Sequence, residues 1–165
     1  MSQEITVAVV EEPISLDQMS AMIAHPAHGA QVFFHGVVRD FNEGKPVVAV
    51  SYDAFNPLVE CTFADICGEA QEKWGRSLRI ALFHRVGRLV VGEISVAIAV
   101  AAPHRKEAYQ ASRYIIEQVK VRAPIWKKEH YVDGDSEWLK GHELCCHHHE
   151  PDERNDLRSE FHDHA

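Results

Sequence analysis

The chain has 165 residues, 17 of them Lys or Arg against 25 Asp or Glu, with 45% hydrophobic and 25% charged residues; this is the balance of one globular domain and excludes a disordered or collagen-like chain. No apolar run approaches the roughly 20 residues that cross a bilayer, and residues 1–12 lack a basic start followed by a long apolar stretch, so a cytoplasmic protein without anchor or signal peptide is expected. The net charge of −8 argues against sequence-independent nucleic-acid binding, which needs clustered cations, so any anion site must be local.

Ile5, Val7 and Val9 alternate with Thr6 and Ala8, the period of a first or edge strand with one buried face. Ser15 caps a predicted helix over 16–24, with Gln18 in the capping-box position. Residues 30–39 and 47–55 read as strands, and Asn42-Glu43-Gly44-Lys45 between them supplies turn residues, so a β-hairpin is expected. Pro57 opens a helix whose apolar stripe runs through Leu58, Cys61, Phe63, Ile66, Ala70 and Trp74, and Gly75 ends it. Residues 78–85 and 93–101 carry strand periodicity, with bends at Gly87 and Gly92. After Pro103, Ala108, Ala111, Ile115, Ile116 and Val119 trace a helix to about Val121, stopped by Pro124, and 125–132 reads as a last strand. Mixed connection lengths favour an α+β fold with a mixed, largely antiparallel sheet over a doubly wound parallel one.

The domain is expected to span 1–140. Residues 141–165 hold seven acids, two bases and six of the twelve histidines, too little apolar surface to offset ordering entropy, so a disordered tail is expected. Cys61 and Cys67 lie six apart and Cys145–Cys146 are adjacent, which gives no C-x-x-C pair and no disulfide framework; reduced thiols are expected.

Phosphate-loop, dinucleotide, zinc-protease and lipase motifs are absent. What remains is a set of cations at element ends: Arg39 at a strand exit, His104 and Arg105 at a helix start, Lys120 at that helix's end, Lys127 and Lys128 on the next strand. A helix start with a guanidinium favours an anion, although a solvated helix start is the ordinary reading of an isolated His-Arg pair. Lys120 alone would stabilise a helix C-terminus. The short return through Pro124 lets Lys127 approach it, and two close ammonium groups lower each other's pKa; a surface ion pair of Glu129 with either lysine is the alternative, and the sequence leaves both geometries open. Phe34, Trp126 and Trp138 read most simply as core aromatics, with one of them stacking on a flat heterocycle at a cleft edge as the alternative, and Gly36 as a tolerated glycine, a bulge or a close backbone approach.

The ordered series Phe34-His35-Gly36-Val37-Val38-Arg39, His84-Arg85-Val86-Gly87-Arg88-Leu89, His104-Arg105, Lys120 and Pro124-Ile125-Trp126-Lys127-Lys128-Glu129 resembles the large, catalytic subunits of molybdopterin synthase, the MoaE family, from about Ile5 to Trp138. The resemblance implies an alpha/beta-hammerhead-like fold. It also implies a sulfurtransferase that inserts two sulfurs into cyclic pyranopterin monophosphate, opening the cyclic phosphate and leaving the dithiolene of molybdopterin. The sulfur donor would be a small ubiquitin-like subunit with a C-terminal thiocarboxylate, bound to a homodimer of large subunits in a heterotetramer. Carried over by motif, Lys120 and Lys127 are the catalytic lysines and also bind substrate. Val37, Val38, Arg39, His104 and Arg105 hold the pterin phosphate and nearby groups, and Lys128 and Glu129 flank the site. No cofactor and no resident metal are implied. The segment from His84 to Arg88 also matches the family but reads as fold or dimer support and is left outside the site. Asp53 and Phe55 depart from the family, which more often has Glu and Tyr there.

Two rival readings stand beside this one. A metal-handling protein would use Cys145, Cys146 and His147–His149 with His142, His162 and His164. A non-catalytic scaffold would keep the ubiquitin-like partner without the chemistry.

Overall fold

The structure, a computed structural model, describes residues 4–140; the tail with its Cys and His cluster lies outside the described residues. Four strands form one sheet in the order β1 (Ile5–Val10), β5 (Arg79–Arg85), β7 (Ile94–Ala102), β2 (Ala30–Val37). β1 and β5 are parallel, and the other pairs are antiparallel.

The central strand β7 is buried on both faces, and the two faces differ in size. Val96, Ile98, Val100 and Ala102 pack with α2 (Asn56–Trp74) and α3 (Arg105–Arg122), whereas Ala97, Ala99 and Ala101 meet α1 (Leu16–Ile23). Methyl groups on that side let an eight-residue helix seat Met19 and Ile23 in full burial, which contributes about 1.5–3 kcal/mol per side chain. Helix boundaries follow local chemistry. Ser15 Oγ accepts from the Gln18 N–H at 3.2 Å. Gly75 ends α2 with φ 134°, and its N–H donates to the Gln71 carbonyl, a conformation that glycine adopts without steric cost.

β4 (Lys45–Ala54) belongs to a second sheet, between β8 (Ile125–Tyr131) and β3 (Phe41–Asn42). β6 (Gly87–Val90) also pairs with β4, β9 (Gly134–Asp135) with β8, and β10 (Leu139–Lys140) closes the other edge. Val38, Val47, Val50 and Leu89 form a small core there, flanked by Tyr52 and Tyr131.

Three expectations are corrected. Strands 30–39 and 47–55 do not form a hairpin with each other: β2 pairs with β7, and β4 enters the second sheet. The turn residues do make a hairpin, but its first arm is only β3; Glu43 and Gly44 have φ of 49° and 78°, as a two-residue type I′ loop requires. Gly36 lets β2 lie close against β7, since a Cβ there would lie 2.9 Å from Val96 Cγ1. Secondly, the stretch between Gly87 and Gly92 holds the strand β6 between its two bends, and β9 and β10 follow the strand expected to be last. Thirdly, Phe34, Trp126 and Trp138 are 39%, 40% and 43% exposed and are not core aromatics. Large rings carry strand periodicity whichever face they occupy, so alternation alone did not assign them to a side.

Among the described residues, Cys61 and Cys67 are free thiols, and burial pushes Cys67 up to about 12. No described helix is long and apolar enough to cross a membrane.

Candidate functional site

Helix α3 returns along β7, and its two ends carry different parts of the expected site. His104 caps its N-terminus without a side-chain cap bond, Arg105 is its first residue, and Lys120 lies in its last turn. At 1.5 Å of rise per residue, Arg105 and Lys120 are about 22 Å apart. A single copy of the chain therefore does not bring His104 and Arg105 to the lysines. Arg39, exposed two residues beyond β2, sits at the Lys120 end, because β2 ends where β7 begins. Val37 is exposed, while Val38 is buried in the second core. At the other end, the Gly29 N–H donates to the Pro103 carbonyl at 3.2 Å, and His104 and Arg105 are exposed beside the open N–H groups of the helix start.

The lysine end is built by strand alternation. Lys127 is the cross-strand partner of Tyr52, and Ser51 pairs with Lys128, so neighbouring lysines point to opposite faces of β8. Lys127 and Glu129 share one face and form an ion pair of 3.4 Å, with Glu129 5% exposed. The pairing with Glu129 thus occurs, and it is largely withdrawn from water. Lys128 instead sits 5.4 Å above the Trp138 ring.

Against Tyr52, the cross-strand partner of Lys127, lies a polar group that sequence reasoning left outside the site. His84 on β5 is 6% exposed, and its Nδ1 bonds the Arg85 carbonyl at 2.8 Å. Its ring meets Tyr52 edge-on, with centroids 5.0 Å apart. Burial pushes the imidazole down to about 4, and the Lys120 ammonium acts in the same direction against the Arg85 bond. His84 is accordingly neutral at pH 7, with its proton on Nδ1, since a carbonyl only accepts. Tyr52 is raised by burial, is hydrogen-bonded to Ser95 and feels Glu129; Ser95 Oγ donates to the Gly36 carbonyl at 3.3 Å. The segment from His84 to Arg88 was the available signal, and its position between strands concealed the contact of His84 with Tyr52.

On the opposite face, Ser51 Oγ and His130 Nε2 are 2.6 Å apart, and His130 Nδ1 lies 2.9 Å from Asp135 Oδ1. Ser51 is mid-strand, paired with β6 on one side and β8 on the other. Its flanking backbone is engaged by neighbours rather than presented as oxyanion donors, and the three residues fasten β9 to the sheet.

The fold is of the α+β class, with Lys120 at the end of α3 and Lys127 on β8, the strand that follows it. A family model described as MoaE protein matches residues 9–122, and the chain belongs to the MoaE family. The molybdopterin synthase catalytic subunit of Nostoc sp. is 43% identical over 132 residues, 80% of each chain. The crystal structure of molybdopterin synthase from Staphylococcus aureus matches with a TM-score of 0.76 and 39% identity over 80% of this chain and 95% of that one. A Helicobacter pylori complex of subunits 1 and 2 of molybdopterin-converting factor shares the fold at 20% identity, with a TM-score of 0.64 over 81% and 88% of the two chains.

Proposed function

We propose that this chain is the catalytic subunit of a molybdopterin synthase in molybdenum cofactor biosynthesis, a cytoplasmic sulfurtransferase that converts cyclic pyranopterin monophosphate to molybdopterin. The two sulfurs come from the C-terminal thiocarboxylate of a small ubiquitin-like subunit. Family membership supports the pathway. The arrangement that carries the chemistry is Lys120 in the last turn of α3, whose charge acts on the buried His84, and Lys127 on β8, the cross-strand partner of the half-buried Tyr52 whose ring meets His84.

A phosphate-bearing substrate and an incoming thiocarboxylate concentrate negative charge, which Arg39 and the two lysines offset. Lys120 moves protons or activates the acyl end during sulfur transfer, and Lys127, held by Glu129, binds substrate. Val37 and Val38 carry Arg39 to the pocket. Lys128, directed to the other face, contributes through its strand position rather than through its ammonium.

The separation of about 22 Å along α3 is accommodated by a homodimer in which His104 and Arg105 of a second copy complete the pocket. The helix start then supplies the phosphate subsite and the lysines the reacting end. Turnover with cyclic pyranopterin monophosphate and thiocarboxylated small subunit tests the reading. Wild-type product formation that Lys120→Ala lacks supports it, and partner binding without product would replace it with the scaffold reading.

A further inference from the structure

We infer that Ser136 is the positioning residue of the Lys127–Glu129 pair, fixing the backbone of the buried acid against which the lysine ammonium is held. This rests on the reading of Lys127 as a substrate-binding lysine. One side of β8 is paired with β4, where Val50 lies opposite Glu129. Its other side is covered in two pieces, by β9 opposite His130 and Tyr131 and by β10 opposite Trp126 and Lys127. Glu129 falls in the break between those pieces. Ser136, the residue after β9, spans the break: its Oγ accepts from the Glu129 N–H at 2.8 Å, and its own N–H donates to the Glu129 carbonyl at 2.9 Å. The hydroxyl proton goes to the Glu137 carbonyl at 2.9 Å, which leaves the oxygen to act toward Glu129 as an acceptor.

The place of the break matters because of what Glu129 carries. A carboxylate only 5% exposed needs its partner within reach, and Lys127 Nζ lies 3.4 Å from Glu129 Oε1. Residues two apart on a strand are separated by about 6.6 Å along it, so the contact depends on both side chains leaning toward each other. A shift in the Glu129 backbone is therefore passed directly to the ammonium. The neighbours of Glu129 have anchors of their own. Tyr131, on the same face, accepts from Asn42 Nδ2 at 3.1 Å and lies under Lys45, 5.2 Å from its ring, and His130 is held by Ser51 and Asp135. Ser136 supplies the matching anchor at Glu129 itself, and an alanine there would leave a strand N–H beside a buried acid without its acceptor.

The test uses the assembled complex with thiocarboxylated small subunit, comparing wild type with Ser136→Ala, Ser136→Thr, Glu129→Gln, Lys127→Ala and the double variant Ser136→Ala, Glu129→Gln. Ser136→Ala should raise KM for cyclic pyranopterin monophosphate by at least about threefold with kcat within about twofold, the pattern of a weakened binding contact. Ser136→Thr, which keeps the hydroxyl, should restore KM. In the Glu129→Gln background Ser136→Ala should add less than about 1.5-fold, because both act through one carboxylate. In protein with isotope-labelled lysine, with the Lys127 Cε NMR signal assigned by Lys127→Arg, Ser136→Ala and Glu129→Gln should displace that signal in the same direction. A Lys127 signal unmoved by Ser136→Ala, independent KM increases that multiply in the double variant, or equal changes in the Ala and Thr variants that track falling Tm would each overturn the inference, as would an unchanged KM in Ser136→Ala beside a raised one in Lys127→Ala. An unchanged KM in Lys127→Ala would instead remove the substrate-binding role of the lysine, and the Cε signal alone would then decide whether Ser136 sets the pair.

Discussion

Arg122 Nη1 donates to Glu69 Oε2 across 2.6 Å, tying the last turn of α3 to α2 two residues beyond Lys120. The same oxygen accepts from the Tyr114 hydroxyl at 2.7 Å. The helix end that carries Lys120 is thereby fixed to the neighbouring helix, although the pair is partly exposed and its worth is screened.

Glu69→Gln should cost about 0.5–1 kcal/mol at pH 7. The hydrogen bond from Arg122 is the largest cause holding the Glu69 carboxyl below its ordinary 4.5. A depressed folded pKa gives stability that is present above the unfolded value and lost as pH falls through the folded one. Urea denaturation should therefore separate wild type from the variant at pH 7 and bring them together below the carboxylate range.

His84 gives the opposite chemistry on the same pH axis. The unfolded imidazole takes a proton near 6.5, and the buried one only at about 4. Between those values the unfolded state binds more protons, so stability falls as pH drops from 6.5 toward 4, by up to about 3 kcal/mol. His84→Gln should lack that slope in unfolding free energies measured at pH 7 and pH 4.5.

Lys127→Met should destabilise by about 3–5 kcal/mol, because it leaves the buried Glu129 carboxylate without its ion-pair partner. Adding Glu129→Gln should return part of the loss. A double-mutant cycle in denaturant checks this, and additive losses would mean that the 3.4 Å pair carries no coupling.

If two copies share each pocket, Lys120→Ala and Arg105→Ala proteins should be inactive apart and active when mixed. Random exchange leaves one intact pocket in each mixed dimer, so activity should return to roughly a quarter of wild type. No return after subunit exchange would place both residues' functions within one copy.

Gly36→Ala should cost about 1–3 kcal/mol by overpacking, since the added methyl would stand 2.9 Å from Val96 Cγ1 and 3.5 Å from Ser95 Oγ. Because Ser95 also holds Tyr52, a fall in kcat beside the fall in Tm is expected.

Elements with local signals were legible in the sequence. The Ser15 cap, the Gly75 stop and the helix closed before Pro124 are decided within a few residues, and each stands near its expected place. Partner choice between strands is non-local, which is why the turn at Glu43-Gly44 was legible and the separation of β2 from β4 was not. The lysines of the candidate site were found through family motifs. What no motif conveyed is that α3 holds Arg105 and Lys120 about 22 Å apart, or that β5 buries His84 against Tyr52 of the second sheet.

The opposed directions of Lys127 and Lys128 make residue count before β8 a chemical variable. Deleting one residue between α3 and Ile125 would slide the strand by one step and exchange its faces. Lys128 and His130 would then occupy the places of Lys127 and Glu129, exchanging a cation-carboxylate pair for two nitrogen bases. The Ala123-Pro124 connection acts as a fixed ruler: substitutions along the strand change individual contacts, whereas a change in its length rewrites the electrostatics of the pocket at once.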